Sequence, residues 1–170
     1  RIFQSKVDVR FISVNPAKSR MYGFESPEEM IADVTDIAAQ LYVEPGLRMD
    51  LQSRLERGEK ITNFESLDYR KDKSTFWTSM NLQAIRDGYG NVQYYEGIVE
   101  DISSRKKVEA ERKQAEETLQ MFQYSIDQAR DAIFWINPEG GFQYVNDKAC
   151  RSLGYTRDEL MLLRLWDIDP

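Results

Sequence analysis

Four pairs of adjacent carboxylates are the first residues whose types suit chemistry: Glu28-Glu29, Glu100-Asp101, Glu116-Glu117 and Asp158-Glu159. Two carboxyls divide acid–base work only when their surroundings push the two pKa values apart. Sequence neighbours on a helix or strand point in different directions, and no apolar setting is evident to raise one member of a pair. The pairs read instead as helix starts and solvated faces. The single thiol, Cys150, has no imidazole to activate it, because the chain contains no histidine. That absence also excludes a Ser-His-Asp or Cys-His pair, a histidine metal ligand, histidine-ligated haem and a histidine phosphoacceptor in this stretch. "GYG" at 88–90 lacks the strand–loop–helix setting and third glycine of a phosphate loop, and reads as a turn. No catalytic residue and no metal site is assigned; the chain reads as non-enzymatic.

The bulk composition sets the frame for whatever positions these groups. With 170 residues, 41% apolar and 31% charged, the chain has room for one well-buried domain and part of another. A formal net charge of −6 argues against a nucleic-acid partner, which needs clustered cations to displace counterions. The longest apolar run, "AIFWI" at 132–136, is too short to span a bilayer, and no signal peptide opens the sequence. One cysteine makes no internal disulfide, which fits a reducing cytosol; Cys150 itself reads as a small core-filling thiol.

Along the chain, three zones emerge. In the first, residues 12–14 alternate as a strand and run into Asn15-Pro16, where Asn15 caps a helix over 16–22 that stops at Gly23. "SPEE" at 26–29 has the capping-box pattern of a second helix start. Leu47, Leu51 and Leu55 then mark one stripe of a helix ending at Gly58. Residues 61–70, 75–86 and 91–102 are rich in aromatic and β-branched types and are separated by "KDKS" and "DGYGN", so they read as strands joined by hairpin turns. In the middle run Phe76, Met80, Leu82 and Ala84 share one face and Trp77, Ser79, Asn81 and Gln83 the other, as expected of a sheet covered on one side.

The second zone, 103–128, has neither proline nor glycine. Its first eighteen residues carry five basic and four acidic side chains, with Arg105/Glu109, Glu109/Lys113 and Arg112/Glu116 four apart. Val108, Ala115, Leu119, Phe122, Ile126 and Ala129 keep a three-four spacing, interrupted by Arg112: a coiled-coil seam of about three heptads. The third zone repeats the first. "FQYVNDKACRSLGY" from Phe142 matches "FISVNPAKSRMYGF" from Phe11 at an offset of 131, sharing Phe, Val, Asn, Arg and Gly, and Ile2-Phe3 falls on Ile133-Phe134.

Two strands, a tight turn, V-N opening a helix, G-[FY], a "PEEM" or "RDEL" helix, then "GIVEDISSRK" closing a three-strand run: this order resembles the PAS/PAC sensor domains of bacterial histidine kinases and diguanylate cyclases. The resemblance implies an α+β PAS fold: a five-stranded antiparallel sheet with helices on one face, a long linker helix, and the first part of a second PAS domain. It divides the chain into a sensor domain at 1–102, a signalling helix at 103–128 and an incomplete second PAS domain at 129–170. Its function would be to sense a ligand or redox state, in the cytoplasm or on the cytoplasmic side of a receptor, and to relay it to a kinase or cyclase output. The alternative is a ligand-free PAS dimerisation scaffold.

The resemblance also names sites. A ligand pocket would be lined by Ile37, Leu41, Phe76, Met80 and Leu82, although an apolar sheet face is also simply core. Asp101, Ile102 and Arg105 would couple the sheet to the linker helix. A homodimer would form through the linker helix and the PAS surface, with Trp77 an interface anchor or a half-covered aromatic. No cofactor is assigned. Cysteinyl-flavin photochemistry needs a cysteine on a later helix, whereas Cys150 follows the V-N turn. Departures from the family fall at two turns: "KVDVRF" lacks the glycine present in "NPEGGF", and "KDKS" has Lys73 where glycine is frequent, so each turn either holds a non-glycine residue in a demanding geometry, with Asp8 or Asp72 taking part of the strain, or uses a different turn type. Because the last three strands of the second PAS domain lie outside this sequence, its apolar segments are expected to be covered by a neighbouring chain, a swap, or the first domain or linker.

Overall fold

The computed structural model describes residues 1–6 and 10–168; the turn at Asp8 lies outside the described residues. The chain divides into two units, Arg1–Val108 and Glu109–Pro170.

Alternation of apolar side chains builds the sheet of the first unit. Strands β1 (Ile2–Ser5), β2 (Phe11–Val14), β3 (Ile61–Tyr69), β4 (Thr75–Arg86) and β5 (Val92–Asp101) form a five-stranded antiparallel sheet in the order β2-β1-β5-β4-β3. Phe76, Met80 and Leu82 of β4 and Tyr95 and Val99 of β5 are buried on one face, while Trp77 and Ile98 are exposed on the other. Helices α1 (Pro16–Met21), α2 (Pro27–Asp33), α3 (Ile37–Leu41) and α4 (Leu47–Glu56) contribute Met21, Met30, Ile37, Leu41, Leu51 and Leu55 to the same core. Each such side chain fully removed from water contributes about 1.5–3 kcal/mol.

Local signals place the helix ends. Asn15 accepts a hydrogen bond from the Lys18 amide at 2.9 Å, and Gly23 follows α1 at φ +83°. Ser26 caps α2 through the Glu29 amide, but the Glu29 carboxylate reaches the Glu25 amide instead of closing a capping box on Ser26. The short α3 shows no periodicity in the sequence; Asp36 caps it through the Ala39 amide at 3.0 Å. At "KDKS" the left-handed residue is Lys73 (φ +67°), not Asp72. Asp72 supports the turn by accepting from the Ser74 amide and hydroxyl at 2.9 and 2.6 Å.

The zone free of glycine and proline is one helix, α5 (Ser103–Asp127), 25 residues long, with no residue buried. No helix is long and apolar enough to cross a membrane among the described residues. The second unit contains β6 (Phe134–Ile136) and β7 (Phe142–Val145), paired antiparallel, followed by α6 (Asp147–Leu153), α7 (Arg157–Leu162) and α8 (Leu165–Ile168). Its register repeats that of the first: Phe134 faces Val145 and Trp135 faces Tyr144, as Phe3 faces Val14 and Gln4 faces Ser13. Phe142, Val145, Ala149 and Leu160 form its buried cluster, with Cys150 half-buried against them.

Candidate functional site

Of the five pocket residues expected from the sequence, Ile37, Leu41 and Met80 line a residual cavity of about 10 Å³ in the first unit. Phe76 and Leu82 are buried elsewhere in the same core. Phe76 packs edge-on to Tyr22, ring centroids 5.0 Å apart, with the Arg70 guanidinium 3.8 Å from its own centroid. A cavity of that size is at the lower limit for one water molecule.

Polar side chains that sequence reasoning misses account for much of the remaining lining: Lys18, Arg48 and Asp68 are 2%, 3% and 1% exposed. Lys18 comes inward because it shares a face of α1 with Met21 and Tyr22, and Arg48 because it stands three and seven residues before Leu51 and Leu55 on α4. Asp68 alternates in phase with buried Ser66 on β3. Those spacings are the signal that points to them.

The groups are tightly coupled. The Tyr22 hydroxyl donates to Asp68 at 2.5 Å and Ser66 donates to its other oxygen at 2.8 Å. The Lys18 ammonium lies 3.4 Å from the Phe3 ring centroid and 4.6 and 5.1 Å from those of Phe11 and Tyr22. Burial drives Lys18 well below the usual lysine range, with Asp68 opposing. Burial also raises Asp68 against the pull of the Tyr22 and Ser66 hydrogen bonds, and Tyr22 well above the usual phenol range. Tyr42 is pushed up to about 12 by burial, with the nearby Arg48 guanidinium restraining the shift. Arg48 donates from Nη2 to the Ser5 hydroxyl at 3.0 Å, while its buried Nε has no hydrogen-bond partner.

The second constellation is the junction at the end of β5. Asp101 accepts from the Arg70 guanidinium and from the Ser103 amide, each at 2.9 Å, and so ties the residue after β3 to the start of α5. Arg70 also donates to the Met21 carbonyl at the end of α1. Burial works to raise the Asp101 carboxyl, but the Ser103 and Arg70 contacts outweigh it and hold the pKa below the usual value. The Ile102 amide donates to the Trp77 carbonyl at 2.9 Å, and its side chain is buried. Arg105 and Lys106 both pair with Glu65, at 2.6 and 2.5 Å. Lys106 also sits 5.0 Å from the Trp77 ring centroid, covering part of that aromatic.

Along α5 the seam residues Val108, Leu119 and Phe122 are exposed, as is Ala115, while Ile126 is half-buried. Ala115, Leu119 and Phe122 line a shallow groove with Glu111, Gln114 and Thr118. Arg112–Glu116 and Lys113–Glu117 are spaced ion pairs on the helix at 3.5 and 3.8 Å. Within the second unit the end of α5 is clamped: Asp127 accepts from Arg157 at 2.8 Å and Tyr144 at 3.0 Å, and the buried Asn146 amide donates to the Ile126 and Asp131 carbonyls. None of the adjacent carboxylate pairs converges on a site, and no cluster of metal-ligating side chains occurs among the described residues.

Residues 2–104 match the PAS domain family, and residues 120–166 match the PAS fold. Among solved structures, one from work on a flavin analogue and the light-oxygen-voltage (LOV) domain mechanism is 27% identical, with a TM-score of 0.51, covering 68% of this chain and 87% of that one. An RNA-binding LOV receptor is 26% identical (TM-score 0.53), with 71% of this chain covering 34% of that chain. The PAS domain of a Colwellia psychrerythraea protein, at 22% identity and a TM-score of 0.52, covers 61% of this chain and 86% of its own, and bears on the fold alone. No curated protein matches the chain.

Proposed function

Because the chain belongs to the PAS domain family, whose members are sensory, we propose that it is a sensing and relay segment of a larger signalling protein. A first PAS domain at 1–102 passes its state through the helix at 103–128 to a second PAS domain at 129–170 and on to a histidine kinase or diguanylate cyclase output. The assembly is a cytoplasmic dimer, parallel along α5. The Asp101 junction is the observation that carries this reading. One carboxylate holds Arg70, which reaches the helical layer at Met21, and also caps the helix that leaves the domain. A change in the helical layer thereby acts on the start of α5 through two strong, charge-assisted contacts.

Asp101→Asn should weaken the Arg70 pair and raise amide hydrogen exchange in the first turns of α5, leaving Met80 and Val99 protected. Unchanged exchange in α5 would remove the junction from the relay.

The scaffold reading has its own support, because side chains fill the interior. A flavin, the group connected with one of the solved LOV relatives, does not fit here: Lys18, Arg48, Tyr22 and Tyr42 occupy the space, leaving about 10 Å³. Cys150 lies in the other unit. Native mass spectrometry with an absorbance scan separates the readings. A bound mass supports a sensor of a preloaded ligand, and a clean apo mass favours the scaffold or a weakly held ligand.

A further inference from the structure

The interior of the first unit encloses an amine with almost no room for water. Lys18 is 2% exposed, and the cavity it lines, about 10 Å³, is at the lower limit for one water molecule. An ammonium brings three N–H donors, and burying them without acceptors is costly. The rings of Phe3 on β1, Phe11 on β2 and Tyr22 attract a cation but do not replace the hydrogen bonds that water supplies. Asp68 is the one buried carboxylate among the described residues of this unit, and its oxygens already accept from Tyr22 and Ser66. Arg48 keeps its charge at any pH at which the fold survives. With Lys18 neutral, one buried cation stands against one buried carboxylate; with Lys18 charged, two cations share it. Burial outweighs the attraction of Asp68 and, with Arg48 adding to it, holds the amine well below the usual lysine range. The other titratable groups around it, among the described residues, are Tyr22 on the same helix, Tyr42 after α3 and the Arg1 α-amino group ahead of β1; β2 and β4 present only Phe11 and Met80 to the cavity.

From this geometry we propose that Lys18 is a proton switch of the first domain: the closed domain holds it as a neutral amine, and a fall in pH favours an opened form in which α1 has drawn away from Phe3 and Phe11 and the side chain is charged in water. The proposal rests on the relay reading of this chain and names its signal as the proton, a ligand that needs no further space. Between the lowered value in the closed form and the ordinary lysine value of about 10.4, the opened form binds one more proton. Each unit of pH lost within that window favours opening by up to about tenfold. The gain stops below the lowered value, where both forms are charged. The route onward is short. Lys18 lies one turn before Met21, whose carbonyl accepts from Arg70, and Arg70 pairs with the Asp101 that caps α5.

The test uses the full 170-residue chain. In NMR spectra of the chain labelled at the lysine ε-carbons, one resonance should titrate well below the others and be missing from Lys18→Met. Amide exchange by mass spectrometry, corrected for its intrinsic pH dependence, should rise in α1 and in the first turns of α5. The rise should reach up to about tenfold per unit as pH falls from about 9 towards about 6. Lys18→Met has no proton to bind there, so the rise should vanish; the comparison also removes the contributions of the Arg1 amine, Asp68, Tyr22 and Tyr42. Should the methionine variant fail to fold, the wild-type lysine titration and exchange profile decide the matter. Lysines that all titrate near the ordinary value overturn the switch. So does a low-titrating Lys18 with exchange in α1 and α5 that ignores pH, or a rise that persists in Lys18→Met. If exchange ignores pH while Asp101→Asn still loosens α5, only the proton switch falls; if neither acts on α5, the relay reading falls with it.

Discussion

The two units of this chain share one local code and have very different interiors. In the unit Arg1–Val108, the strand pair, the asparagine-capped helix and the left-handed glycine lead into three further strands, and nineteen buried apolar residues among those described form one core. In the unit Glu109–Pro170 the same opening, in the same pairing register, buries four. Phe134, Trp135 and Trp166 stay exposed there, whereas Phe3, the counterpart of Phe134, is buried beneath a sheet that also includes β5. Capping and register are therefore local properties, while burial belongs to the sheet as a whole. The first unit can enclose Lys18, Arg48 and Asp68 only because strands and helices remote in sequence close around them.

The largest effects that would challenge this contrast lie in the cores. Leu55→Ala should cost about 2–5 kcal/mol in urea unfolding, because Leu55 is fully buried in the larger core. Leu160→Ala, equally buried in the smaller cluster, should leave that transition unmoved and alter only signals from the second unit. A shared shift would mean that the two units unfold as one.

Next in size is the effect on assembly. Replacing Leu119 and Phe122 with glutamate should turn a dimer into a monomer by light scattering, since both are exposed on the α5 seam. A dimer that survives would move the contact to another surface, such as the outer sheet face bearing Trp77 and Ile98.

The junction gives a smaller, pH-dependent effect. Asp101 has a lowered pKa in the folded protein, so its stabilising contribution is complete above its unfolded value of about 4 and is lost as pH falls through the lowered value. Exchange at the start of α5 should rise in that acid window in the wild type and stay flat in Asp101→Asn, measured by mass spectrometry after pH-corrected labelling. The least costly change is at the paired glycines. Gly23 and Gly154 stand at φ +83° and +79°, so alanine at either should cost about 1–2 kcal/mol, each confined to its own unit's thermal transition.

Much of the fold is legible from single segments. Asn15-Pro16, Ser26, Gly23 and the alternation along β4 act within a few residues, and the repeat at an offset of 131 reappears as identical strand register. The α5 stretch is legible for a similar reason: ion pairs four apart and the absence of glycine or proline need no outside partner. By contrast, α3 is hidden because five residues are too few to show a period, and Lys73 is unexpected because a lysine rarely takes left-handed backbone. The apolar pocket set contains three residues that line the cavity and none of the charged ones.

Caps, turns, strand alternation, the linker helix and the internal repeat were already written in the order of the residues, because each depends on backbone geometry and neighbours a few positions away. It took the assembled fold to bring Lys18, Arg48 and Asp68 into one enclosed space and to join Arg70, Asp101 and Ser103 at one junction. The members of each group come from elements tens of residues apart, and whether a charge is solvated or buried is set by every element that packs around it.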